Sequence, residues 1–188
     1  MRELPVSATA ERVCGILAEL GISYALCGAL AAIYYGEARL TQDVDIAVEI
    51  QPDAVPALLD RLDSFFYVDR EAALRAIRNR DMFQALDMET FVKVDFHPGE
   101  CVQGELARAV ARPVFSEAVL RLLSKEDAIL SKLWWISLGS GKSRQDVVAM
   151  LLDPQPFDEE FVRVTARSMG TEPLLNELLS EAARLVAD

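Results

Sequence analysis

The chain has 188 residues, 52% hydrophobic and 26% charged, with a formal net charge of −11. That length accommodates one domain with a buried core, and so large an apolar fraction excludes a disordered chain. No apolar run approaches the ~20 residues that span a bilayer, the start MRELPVSATAERV lacks a signal-peptide core, and the acidity argues against nonspecific coating of nucleic acid. The expectation is a cytoplasmic globular protein with no membrane partner.

Residues 7–20 place Val13, Ile16, Leu17 and Leu20 on one face and predict an amphipathic helix, capped by Ser7 or Thr9 and ended by Gly21. An apolar run of strand length, 22–26, leads through Cys27-Gly28 into a short helix closed by Gly36. Residues 43–50, DVDIAVEI, alternate cleanly and predict a strand. A helix over 52–64, a strand over 65–69, a helix over 71–80 and strands over 82–88 and 90–97 follow. Residues 112–124, RPVFSEAVLRLLS, predict two short strands around a turn. Beyond them 125–138, 143–152, 158–169 and 172–187 carry helical periodicity, separated by glycines and prolines. The reading is an α/β (α+β) fold, a mixed sheet flanked by helices over 1–122, with a C-terminal helical subdomain over 123–188.

Cysteine and histidine usage narrows the chemistry. Cys14, Cys27 and Cys101 are odd in number, lack CxxC spacing and read as reduced thiols. His97 is the single histidine, which excludes a multi-His zinc site and leaves a hard cation on oxygen ligands as the metal to expect. Gly139-Ser-Gly-Lys-Ser143 imitates the end of a phosphate-binding loop. The glycine that motif requires five residues earlier is Ile136, and WWISL continues a helix where a strand should precede.

Carboxylates carry the argument. Asp43 and Asp45 are two apart in a strand and share one face, opposite Val44, Ile46 and Val48. In TFVKVDFHP, Lys93, Asp95 and His97 share a face in the same manner. If the two strands are neighbours, Asp95 completes a three-carboxylate cluster able to hold a pair of Mg²⁺ ions for nucleoside-triphosphate chemistry. A solvated edge strand is the plain alternative for any D-x-D. Upstream, Cys27-Gly28 sits at a strand-to-helix turn whose backbone N–H groups suit a phosphate.

The stretch CGALAAIYYGEARLTQDVDIAVEI resembles the signature of the nucleotidyltransferase (DNA polymerase β-like) superfamily. It is most similar to the AbiEii-like and related minimal bacterial members, several of which act as toxins in toxin–antitoxin pairs. Gly28, Arg39, Thr41, Asp43 and Asp45 match the pattern, and Asp95 stands where the third carboxylate is expected. Downstream, SKEDAILSKLWW supplies Lys132 and SRQDVVAMLL supplies Arg144 and Asp146. The likeness covers roughly residues 22–152 and departs at Cys27, where the first glycine of a pair is usual.

The resemblance implies the nucleotidyltransferase fold, with Asp43, Asp45 and Asp95 as catalytic residues and ligands of Mg²⁺ (two ions, or Mn²⁺ in their place). It implies an NTP held by Cys27, Gly28, Arg39, Thr41, Lys132 and Arg144, and an acceptor hydroxyl at an RNA end such as a tRNA 3′ end. An antitoxin protein is the further partner it suggests. An aminoglycoside-type small-molecule acceptor is the runner-up, and a catalytically weak nucleotide-binding or interaction module stands as a third reading. Arg75 and Arg78 share a helix face and are the candidate RNA contacts, beside the plainer reading of a solvated face. Of Trp134 and Trp135, adjacent in a helix, one is expected in the core.

Overall fold

The computed structural model describes residues 5–115 and 118–187. Helix α1 (Pro5–Glu19) leads to β1 (Ser23–Leu26), α2 (Gly28–Tyr34), β2 (Asp43–Glu49), α3 (Val55–Leu62), β3 (Phe66–Val68) and α4 (Arg70–Asn79). Strands β4 (Phe83–Asp87) and β5 (Lys93–Pro98), the single-turn α5 (Glu105–Arg108), and strands β6 (Val110–Phe115) and β7 (Ala118–Leu122) follow. Helices α6 (Lys125–Ser137), α7 (Gly141–Leu152), α8 (Glu159–Ser168) and α9 (Glu172–Ala187) complete the chain. The turn expected between the strands of 112–124 lies outside the described residues. No described helix is long and apolar enough to cross a membrane.

Local signals set most of the boundaries. Gly21, at φ +66°, ends α1 by letting the Ile22 N–H reach back to the Leu17 carbonyl at 2.9 Å. Ser124 caps α6 through the Asp127 N–H, and Asp158 caps α8 through the Phe161 N–H. The expected caps of α1 are wrong. The helix already begins at Pro5, whose fixed φ suits a first turn, and both Ser7 and Thr9 lie inside it. Their hydroxyls serve other bonds: Ser7 donates to Glu11, and the buried Thr9 donates to Asp87.

The seven strands order as β3-β4-β5-β2-β1-β7-β6. Strands β1 and β2 are antiparallel, and β2 and β5 are parallel, with Asp43 opposite Lys93, Asp45 opposite Asp95 and Ala47 opposite His97. Val44, Ile46 and Val48 are buried completely on the other face, as are Val94 and Phe96. One apolar core continues from Val13 and Leu17 of α1 through these strands to Ile129, Leu133, Val147 and Val162 of the C-terminal helices. A parallel β2–β5 pair therefore projects the polar face of both strands toward α2 and α6.

Asp87, fully buried at the end of β4, ties α1 to the sheet. It accepts from Thr9 at 3.0 Å, from Arg12, and from the backbone N–H groups of Glu89 and Thr90 at 2.9 and 3.2 Å. Burial raises its carboxyl, but those donors and the Arg12 charge prevail and hold it below its ordinary value. Asp87→Ala should cost about 2–4 kcal/mol in urea denaturation, because four donors lose one acceptor. A loss within experimental error would show that the network contributes nothing net.

Candidate active site

Topology delivers the site. Strand β1 runs antiparallel to β2, so its end meets the beginning of β2, and the Cys27 N–H donates to the Asp45 carbonyl at 2.9 Å. The next residue, Gly28, has φ +54°, and a Cβ there would lie 2.0 Å from Asp45 Oδ2. Only glycine fits on both counts. Cys27 itself is extended, at φ −134°, so a cysteine in that place carries no left-handed strain.

Around this turn the carboxylates of β2 and β5 converge. Asp45 Oδ2 faces the Ala29 N–H at 3.4 Å, and Oδ1 accepts from His97 Nε2 at 3.2 Å. Asp95 Oδ2 pairs with Lys93 Nζ at 3.0 Å, while Asp95 Oδ1 is buried with no hydrogen-bond partner. Thr41 donates to Asp43 Oδ1 at 2.9 Å, so its place is to orient that carboxylate. Asp43 and Asp95 thus each have one oxygen held by a neighbour and Asp45 has both, contacts of the kind that orient carboxylate ligands. Burial pushes Asp45 up, but the His97 hydrogen bond and charge, the Ala29 N–H and Lys132 outweigh it, and the carboxyl sits below its ordinary value.

A cleft of about 540 Å³ opens here, with Cys27, Gly28, Asp45, Asp95, His97 and Lys132 in its walls. Lys132 reaches it from α6 and is held by Asp146 Oδ2 at 2.8 Å. Asp146 also takes a two-pronged bond from Arg39, at 3.0 and 3.1 Å. Burial raises Asp146, but Arg39 and Lys132 hold its carboxyl below the ordinary value. Trp134 and Trp135 both stand at the mouth, 40% and 42% exposed, so neither is in the core as expected. They lie beyond Leu133, at the end of α6 nearest the cleft, where Trp135 meets His97 edge-on at 6.2 Å.

Several expected contacts are not brought together. Arg144 pairs with Glu177 and Glu181 of α9, at 2.8 and 2.6 Å, and does not line the cleft. The reason is helical phase: Asp146, two residues on, faces Lys132, which turns Arg144 toward α9. Arg39 lies behind Asp146 and is likewise absent from the cleft wall. Arg75 and Arg78 are exposed on α4, Arg75 against Glu71 at 3.7 Å, and do not line this cleft. Glu105, in contrast, went unnoticed in the sequence. It is buried in the same cleft, accepting from the Cys101 and Val102 N–H groups at 2.9 and 3.1 Å. No periodicity marks a lone carboxylate on a one-turn helix, and only the fold reveals it.

No protein-family model and no curated protein matches the sequence. Solved structures do match by shape. An antigenic nucleotidyltransferase-like protein from Paracoccidioides brasiliensis superposes with a TM-score of 0.55 at 17% identity, covering 92% of this chain and 91% of that one. The antibiotic-resistance factor ANT(2'')-Ia, known in solution, superposes at 0.50 and 15% identity, over 94% and 90% of the two chains. The fold is that of the nucleotidyltransferases. Within it, the mixed seven-stranded sheet sets the cluster of Asp45 and Asp95 beside the Gly28 turn.

Burial pushes the Glu105 carboxyl up to about 7, with Asp127 and Glu100 adding to the rise and the two backbone donors opposing it. The folded chain then binds this proton more tightly than the unfolded chain. Its stability contribution is full below the ordinary value of 4.5 and is lost as pH rises through about 7. Glu105→Gln should therefore flatten the decline in melting temperature between pH 5 and pH 8 relative to the native protein. Parallel pH profiles for the two proteins would disprove that assignment.

Proposed function

We propose that the protein is a nucleotidyltransferase, moving a nucleoside monophosphate from an NTP to an acceptor hydroxyl and releasing pyrophosphate. The observation that carries this reading is the Asp45–Asp95 pair, set side by side next to the bare Gly28 backbone, with Asp95 Oδ1 buried and unpartnered. The shared fold is consistent with it. The extended backbone at Cys27 removes the one sequence feature that favoured an inactive module.

The donor set fits a hard divalent cation: three carboxylates, and a buried oxygen with no partner of its own. Among the described residues no three acidic, His or Cys side chains already meet at one point, so binding an ion requires at least one of them to reorient. Asp43, Asp45 and Asp95 would hold Mg²⁺, which supplies charge neutralisation at the α-phosphate and the departing pyrophosphate. The protein's own groups do the rest. Gly28 lets the Asp45 carboxylate close onto the backbone at the cleft, and Lys132, steadied by Asp146, faces the negative charge of the triphosphate. The acceptor oxygen forms a bond to the α-phosphorus as the bond to the β-phosphate oxygen breaks. Asp95 takes the hydroxyl proton, and pyrophosphate leaves with the bonding electrons. Trp135 offers the base an aromatic surface at the cleft mouth. The RNA acceptor and the antitoxin partner rest on the family resemblance alone.

The test is transfer of label from α-labelled NTP with Mg²⁺. Asp45→Asn should lower kcat/KM by at least about 10²–10³-fold while the protein still folds, since a preorganised electrostatic group is removed. Unchanged transfer in Asp45→Asn would sink the assignment. Trp135→Ala should raise KM for the NTP about tenfold with kcat little altered, as expected for a lost stacking surface. If KM is unaffected, the base lies elsewhere.

A further inference from the structure

A second cleft, of about 870 Å³, opens at the opposite end of the same carboxylate row. Its walls are mainly apolar, with Leu40, Phe91 and Phe115 among them, and its polar end carries Arg39, Asp43 and Lys93. Asp43 and Lys93 face each other across β2 and β5, two residues in register before the Asp45–Asp95 pair that lines the first cleft. The carboxylates therefore form the wall between two clefts. The volume is of the size that holds a drug-like molecule, about 300–1,000 Å³.

Two side chains set this cleft apart from ordinary surface. Phe91 closes the β4–β5 hairpin, its N–H on the Asp87 carbonyl at 2.9 Å, with φ +59°. That left-handed position suits glycine, and a side chain there costs about 1–2 kcal/mol. Yet the Phe91 ring is 76% exposed, so packing returns little for the strain. Leu40, on the facing loop, is 94% exposed. A strained, solvent-facing aromatic opposite a solvent-facing leucine is a binding surface more readily than a packing accident.

Building on the transferase reading above, we propose that this second cleft is the acceptor site and that the acceptor is a small amphiphilic alcohol or phenol. Its apolar body lies between Leu40 and Phe91, and its hydroxyl is presented past Asp43 toward Asp95. In-line displacement supports the placement. The nucleophile must arrive opposite the pyrophosphate across the α-phosphorus, and the second cleft's walls include neither Gly28 nor Lys132, which face the pyrophosphate. Charge narrows the class further. Arg39 and Lys93 are already paired, with Asp146 and Asp95, so among the described residues the polar end holds no unpaired cation for a polyanion, while the apolar walls oppose a polycation and suit an uncharged acceptor. Two cations beside an apolar wall also fall short of what an RNA backbone demands.

The test uses the intact protein and 1-anilinonaphthalene-8-sulfonate, an aromatic anion, as the probe. Saturable fluorescence enhancement is expected, weakened about tenfold or more by Phe91→Ser and by Leu40→Ser, in keeping with the loss of one buried apolar side chain. Phe91→Gly guards against a folding artefact. It should weaken the probe equally while raising Tm by about 2–4 °C, because glycine relaxes the left-handed strain. Calorimetric affinity for NTP with Mg²⁺ should not change in any of the three. Label transfer is then compared with octyl glucoside, kanamycin and a CCA-ended oligoribonucleotide as acceptors, and a Phe91-dependent KM for octyl glucoside is expected. Probe binding indifferent to Phe91 and Leu40, or transfer to kanamycin or RNA with a KM indifferent to Phe91, overturns this inference alone. A native protein that binds no NTP overturns the transferase reading and this inference together.

Discussion

Two carboxylates in register on neighbouring parallel strands, Asp45 and Asp95, impose the constraint to which the rest of the site responds. Directly opposed side chains on adjacent strands sit about 5 Å apart at Cβ, and like charges there repel. Each is answered individually: His97 and the charge of Lys132 on Asp45, and Lys93 on Asp95. That Asp45 lies below its ordinary value despite its burial shows the donors prevailing over desolvation. The compensation is incomplete at Asp95 Oδ1, which has no partner. A protein built only for stability would gain by replacing such a pair with apolar residues.

The cations that face the cluster are not independent of the fold. Asp146 on α7 holds Lys132 of α6 and Arg39 of the loop before β2 with one carboxylate. The consecutive helices α6 and α7 are thereby pinned to a loop far upstream in the chain. Arg39, expected to touch the nucleotide, instead supports the lysine that faces the cleft. Thr41 does the same for Asp43. Part of the motif around the D-x-D strand thus serves the carboxylates and their counter-charges.

Strand alternation made much of this legible. It placed Asp43 with Asp45, and Lys93 with Asp95 and His97, because the two-residue period leaves one answer for which side chains share a face. Helix-surface assignments fared worse. Arg144 and Asp146 lie close in sequence but about 200° apart around a helix, so one turns to α9 and the other to Lys132 of α6. Hydrophobicity alone puts one of Trp134 and Trp135 in the core, whereas their helix ends at a cleft mouth that only packing creates. Glu105 left no pattern at all, since its burial depends on α5 folding beneath β1 and α6.

By itself, the sequence determined the order of all elements but α5, the carboxylate-bearing faces of β2 and β5, and the glycine at the turn after β1. Those are local properties, set by periodicity and backbone sterics. Tertiary structure alone decided that β5 inserts beside β2, in parallel and in the register that opposes Asp45 to Asp95. It alone paired Asp146 with Lys132 and set an apolar cleft beyond Asp43. Strand neighbourhood and helix docking are chosen by long-range burial, which a linear reading of residue types does not specify.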